Sequence, residues 1–241
     1  MPYSNPRLVR LYDVDNPDGA DHDFFRELVN EVEAPRVVDL GCGTGTLTVT
    51  LAQPGREVLG IDPSEDMLDF ARSRPGGDTV TWLEGTAAAI EPRSSDVVIM
   101  SGNVAMHILE DWPETLASIA AGLTERGVVA FEARNPEAAA WRNWSDTGSV
   151  RDTADGRLIE SCSIEGPGIT GRVVMHIRNE WPDDGDIVEV KQEPQFRSHQ
   201  QILADLKRAG LTNVSTYRNW LREPFTGGPG QPLMVFVARK D

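Results

Sequence analysis

Val37-Val38-Asp39-Leu40-Gly41-Cys42-Gly43-Thr44-Gly45-Thr46 is a short apolar strand that stops at an acidic residue and runs into glycines at alternate positions. Glycine at 41, 43 and 45 lets the backbone turn sharply and approach a ligand with no Cβ in the way. Leu47-Thr48-Val49-Thr50-Leu51 then opens a helix whose N-terminus faces that ligand. A second strand, Glu57-Val58-Leu59-Gly60-Ile61, ends at Asp62. Strand, glycine turn, helix, strand and terminal acid make a βαβ unit, with Asp62 placed to hydrogen-bond the two hydroxyls of a ribose. A merely flexible Gly/Thr loop explains the glycines but neither the flanking strand nor the acid.

Which nucleoside is bound turns on what is missing. A dinucleotide fingerprint wants G-x-G-x-x-G, and position 46 is Thr. The run Asp39-Leu40-Gly41-Cys42-Gly43-Thr44-Gly45 closely resembles the first motif of class I S-adenosylmethionine-dependent methyltransferases. The resemblance implies S-adenosylmethionine as cofactor, a ligand with an amino-acid tail in place of phosphates. Gly41, Cys42, Gly43, Thr44 and Gly45 would meet its ammonium and carboxylate, and Asp39 would act at the loop directly or through water. It further implies contacts from Asp62, Pro63 and Met67 after the second strand, and from Gly85, Thr86 and Ala87 after the third. An acidic residue often follows that glycine in the family and meets the adenine amine, whereas here the position is Thr86.

With 241 residues the chain is long enough for one large α/β domain, or for a core plus an insertion. A single domain over 1–241 is expected. Its net charge of −15 repels a phosphate backbone, and no Lys/Arg cluster interleaved with aromatics offsets this, so nucleic acid is not an expected partner. The two cysteines, Cys42 and Cys162, are too few and too separated for a disulfide framework or a zinc site, and no metal is expected. No run reaches the ~18 apolar residues of a membrane span, and Met1 to Arg7 lacks the apolar stretch of a leader. The reading is a soluble, cytoplasmic protein with no membrane partner; oligomeric state is open.

Residues 1–20 are rich in Pro, Asn and Asp, with Tyr3, Leu8, Val9, Leu11, Tyr12 and Val14 as apolar anchors, and read as an arm laid over the domain. Asp21 can cap a helix in which Phe25, Leu28, Val29 and Val32 form one apolar face, stopped by Pro35. After Asp62, Met67, Leu68 and Ala71 supply the buried side of a second helix, ended by Pro75-Gly76-Gly77. Residues 79–84 read as a third strand, in which Trp82 is expected in the core and not against an adenine. Asp96 to Met100 is a fourth strand, running out into Ser101-Gly102-Asn103-Val104-Ala105-Met106-His107. A helix through Leu116, Ile119, Ala120 and Leu123 is closed by Gly127, and a fifth strand, Val128 to Phe131, ends in Glu132-Ala133-Arg134-Asn135-Pro136. That ending, followed by Trp141 and Trp144, is similar to one group of small-molecule methyltransferases.

From about 155 to 198 the composition changes. Arg157 to Glu165, Gly171 to Trp181 and Asp186 to Arg197 are strand-like with partial alternation, separated by Gly-Pro and Asp-Asp-Gly turns, and read as a small antiparallel β cap inserted after the fifth strand. A helix over 199–209 and strands over 213–220 and 233–238 close the chain. The expected fold is α/β: a Rossmann-like class I methyltransferase sheet, mostly parallel with one antiparallel strand, plus the cap.

The leading functional reading is transfer of the sulfonium methyl of S-adenosylmethionine to a small-molecule acceptor. Alternatives are a non-catalytic S-adenosylmethionine-binding regulator and, weakened by Thr46, an NAD-dependent dehydrogenase. Ligands sit beyond the carboxyl ends of the strands in such a sheet, so Ser101, Gly102 and Asn103 border the cofactor, and His107 and Glu132 are the candidate catalytic residues, His107 the better base near neutral pH. A base is needed only if the acceptor must lose a proton, and Glu132 has an alternative role as an ion-pair partner of Arg134. Tyr12 from the arm is a candidate cofactor contact, and Arg197 and His199 are weaker site candidates.

Overall fold

The computed structural model describes residues 5–240. The first four residues, Tyr3 of the expected arm among them, lie outside the described residues, as does Asp241. Within the expected arm the chain forms a helix, α1 (Pro6–Asp15), with the Asn5 side chain accepting from the Arg7 N–H and a proline in its first turn. The arm composition hid a helical spacing in which Leu8 and Leu11 fall on one side. Next comes α2 (Ala20–Glu31), which buries Phe24, Phe25, Leu28 and Val29; Gly19 is its N-cap, and Asp21 stands in its first turn instead of capping it.

Seven strands form one sheet in the order β10-β11-β5-β4-β1-β2-β3. These are β1 (Arg36–Leu40), β2 (Glu57–Asp62), β3 (Thr81–Glu84), β4 (Ser95–Met100), β5 (Leu123–Arg134), β10 (Leu211–Tyr217) and β11 (Leu233–Lys240). β11 runs antiparallel to both β5 and β10, and the pairs from β3 to β5 are parallel, so one strand is antiparallel, as expected. Alternation explains why the central strands read as continuous apolar runs. Val38, Val98, Met100, Val129 and Phe131 go to one core, and Val37, Val97, Ile99, Val128 and Ala130 to the other, so both faces are covered. The helices between strands are α3 (Thr48–Leu51), α4 (Glu65–Ser73), α5 (Val104–His107), α6 (Trp112–Gly122) and α7 (His199–Arg208). α6 stops at Gly122, where a Cβ would lie 2.3 Å from Ile90, and Gly127, expected to close it, lies inside β5.

The inserted cap is a second sheet of four antiparallel strands, β6 (Asp146–Thr153), β7 (Gly156–Glu165), β8 (Val174–Trp181) and β9 (Asp186–Gln192). It begins before the expected 155, because β6 is a mostly exposed edge strand with no apolar alternation and takes its order from backbone pairing with β7. It also ends before 198. Residues 193–197 leave the sheet to cross to the main domain, where the Gln195 N–H donates to the Met106 carbonyl and Phe196 packs edge-on against Trp141. Leu8 and Leu11 of α1 pack on Leu158 and Trp181 of the cap, forming a third apolar cluster.

Candidate active site

Gly41, Gly43 and Gly45 have φ of +75°, +54° and +77°, the left-handed region that the sequence required of the turn after β1. Their surroundings differ. A Cβ on Gly41 would lie 2.5 Å from Val104, and one on Gly45 would lie 2.6 Å from Trp82, so both glycines are there for close packing within the protein. Trp82 is the floor of the turn: partly buried and packed against the core, it donates its indole N–H to the Gly77 carbonyl at 2.8 Å. A Cβ on Gly43 would meet nothing nearer than the Tyr12 ring, at 3.7 Å.

Asp62 closes β2 with one carboxylate oxygen accepting from the Gly43 N–H and the other from the Ser64 N–H, each at 2.9 Å. Burial raises its pKa against these two bonds. A carboxylate has about four acceptor positions, so two remain for ribose hydroxyls. Asp39 is 1 % exposed. One oxygen accepts from the Thr48 hydroxyl at 2.7 Å, the other has no partner, and burial pushes its pKa up to about 6. The Gly85 N–H donates to the Asp62 carbonyl at 3.0 Å, and the Thr86 hydroxyl accepts from Ala88, which holds the 85–87 loop beside Asp62. Pro63 is exposed, while Met67 and Ala87 are buried.

A cavity of about 280 Å³ opens between α1 and the carboxyl ends of β1, β4 and β5. It brings together Tyr12, Gly41, Cys42, Thr44, Ser101, Gly102, Asn103 and Glu132 of the expected residues. Glu132 is 3 % exposed. Its Oε1 accepts from the Asn103 N–H, its Oε2 has no partner, and burial, abetted by nearby Asp21, pushes its pKa up to about 7. Arg134 is not bonded to it; its Nε donates to the Asn103 side-chain oxygen at 3.1 Å. Asn103 thus carries both neighbours, in a left-handed conformation at φ +64°.

His107 does not line this cavity. It sits at the C-terminal end of α5, which turns it away from the end of β4; its pKa is lowered by partial desolvation although the residue is exposed. Arg197 donates to the carbonyls of Ala105, Ile108 and Leu109 and lies 4.6 Å over the Trp112 ring, with burial lowering its pKa to about 10. It therefore fixes the segment after α5. The His199 ring bonds the Thr216 hydroxyl at 2.9 Å, away from the cavity. Sequence reasoning missed Asp21, His22, Thr46 and Trp220 as cavity residues, and only the Asp18 to His22 helical spacing, realised as a 2.9 Å contact, left any local signal. Among the described residues no group of three His, Cys, Asp or Glu is arranged to hold a metal ion.

A glycine turn after the first strand, an acid ending the second and a doubly covered, mostly parallel sheet define a fold of the Rossmann-like class. Residues 37–127 match the family model described as "Methyltransferase domain". The chain is 34 % identical over 139 residues to a trans-aconitate 2-methyltransferase of Variovorax paradoxus, a match covering 53 % of this chain and 49 % of that protein. It spans about half or less of the length of the curated relatives it matches. Over whole chains the fold is similar to an S-adenosylmethionine-dependent methyltransferase from Clostridium acetobutylicum, with TM-score 0.80 and 16 % identity, covering 97 % and 98 % of the two chains. It is also similar to CalS10, an amino pentose methyltransferase from Micromonospora echinaspora with S-adenosylmethionine bound, with TM-score 0.68, 19 % identity and 97 % coverage of each. Residues 37–127 thus resemble a methyltransferase domain, set in a fold that the whole chain shares with S-adenosylmethionine-dependent methyltransferases.

Proposed function

We propose that this chain is an S-adenosylmethionine-dependent methyltransferase acting in the cytoplasm on a small-molecule acceptor. The observation that carries the reading is the junction of the glycine turn with Asp62, where the Gly43 N–H meets the acid at 2.9 Å; Asp62 itself is not among the cavity's lining residues, but Cys42 and Thr44, on either side of Gly43, are. The residues fit the cofactor: Asp62 keeps acceptor positions for two hydroxyls, and the Asp39 oxygen without a partner marks unmet polar demand beneath the turn. Bound there, the cofactor supplies a methyl group on a sulfonium that is its own leaving group. The chain's part is to hold the acceptor in line, exclude water and take up any proton released.

Glu132 is the better candidate for that last task. Its Oε2 is buried, unpartnered and at the cavity, and a pKa near 7 lets it accept a proton at neutral pH. With Asp21 alongside, the cavity favours a basic nitrogen over a carboxylate acceptor, in keeping with the amino sugar acceptor of CalS10 and unlike trans-aconitate. Calorimetric titration of the whole chain with S-adenosylmethionine and NAD, side by side, tests the cofactor, and a panel of small amines and carboxylates followed by S-adenosylhomocysteine release tests the acceptor. Asp62→Ala is expected to weaken S-adenosylmethionine binding roughly ten- to a hundredfold, the loss of one charged acceptor for two buried hydroxyls. Tighter binding of NAD, or unchanged affinity in the variant, contradicts the reading.

A further inference from the structure

Thr44 stands between Gly43 and Gly45, two residues that give the turn its shape and no stiffness. Its hydroxyl donates to Asp13 Oδ1 at 2.5 Å, and the Thr46 hydroxyl donates to the same oxygen at 3.0 Å. The other Asp13 oxygen pairs with Arg74, the residue that ends α4. Arg74 closes the circuit, its Nε donating to the Thr44 carbonyl at 2.8 Å. Side chain and backbone of one turn residue are therefore held at once, by a carboxylate from α1 and a guanidinium from α4. Neither touches the Asp62 side of the turn, and no sequence motif marks either.

We propose that Asp13 and Arg74 are positioning residues for the cofactor turn, which preset the Gly41–Thr46 backbone in its binding geometry before ligand arrives. This rests on the reading that the turn holds the cofactor. A loop with three glycines in the left-handed region has many alternatives when free, and a ligand that must order it loses affinity to that cost. Two hydroxyl bonds, one ion pair and one carbonyl bond, all anchored on flanking helices, remove the alternatives in advance. The pair is neutral overall, so it fixes geometry without adding net charge beside the cavity. A role confined to docking α1 predicts something different, because α1 is also tied to the cap by Arg7 with Asp184 and Asp186 and by Arg10 with Asp155.

The test compares Asp13→Asn, Arg74→Met and their double variant with Arg7→Ala, which loosens α1 at its cap end and leaves the circuit intact. S-adenosylhomocysteine is titrated by calorimetry, and amide exchange at 43–46 is measured without ligand. Expected are an affinity about tenfold weaker in each circuit variant and no further loss in the double variant. Exchange at 43–46 should rise in the circuit variants and stay at the wild-type rate in Arg7→Ala, whose affinity should also be unchanged. Equal weakening in Arg7→Ala, or unaltered exchange in Asp13→Asn, overturns the proposal. Failure of the wild-type chain to bind either form of the cofactor sinks the functional reading instead, and the ligand-free exchange rates then still decide the role of the circuit.

Discussion

Glu132 shows how one side chain can be informative in two ways. The unfolded carboxyl titrates near its ordinary 4.5 and the folded one near about 7, so the folded state holds the extra proton between those values. A raised acid pKa contributes stability that is complete below the unfolded value and is lost as pH rises through the folded one. Glu132→Gln cannot titrate, so its stability relative to wild type should rise by up to about 3 kcal/mol between pH 4.5 and 7.5. Urea unfolding of both proteins at the two ends of that window measures it, and a flat difference would mean that Glu132 titrates as an ordinary surface acid. The same variant should slow methyl transfer to a basic acceptor while leaving cofactor affinity near wild type. The residue itself was legible, because an acid at the end of an apolar strand is placed by the sheet. His107, expected by the same rule, does not line the cavity, since the one-turn α5 intervenes between the strand end and the imidazole.

Among the elements, those with a strong period or a local motif could be read, and those ordered by distant partners could not. β1, β4 and the glycine turn carry their own signals in consecutive residues. β6 has none: its side chains are mostly exposed, and only its pairing with β7 makes it a strand. The arm composition over 1–20 does not announce α1, because proline and aspartate at its two ends resemble loop composition, although they suit a helix start and a polar face. Its attachment to the cap divides unequally. Arg10 pairs with Asp155 at the surface, with side chains 45 % and 20 % exposed, so Arg10→Ala should cost within about 1 kcal/mol. Trp181 is fully buried against Leu8, Leu11 and Leu158, and Trp181→Ala should cost about 3 to 5 kcal/mol and detach α1. Chemical denaturation and limited proteolysis between α1 and α2 would show both; equal effects of the two variants would mean that charge, not burial, seats the helix.

At the level of the whole molecule, a mostly parallel sheet with one antiparallel strand could be foreseen from the class resemblance, while the cavity residues outside the motifs and strand ends could not. Asp21, His22 and Trp220 come from a helix and a loop that meet Glu132 only when the sheet is complete. Completion depends on β11, which fills the gap between β5 and β10 and pairs with β5 from Arg134 to Val128. The reach is long: Lys240 donates its ammonium to the Leu123 carbonyl across 117 positions. A chain cut before Leu233 should therefore show no cooperative thermal transition and should bind apolar dyes, whereas one that melts sharply would make β11 an accessory strand. The same insertion has a temporal consequence. During synthesis at ~5 to 20 residues per second, β1 to β5 leave the ribosome well before β11 exists, and the buried edge of β5 waits without its partner. The nascent protein carries an open, apolar sheet edge for seconds, which makes its yield in cells depend on chaperones and on the speed of translation through the cap.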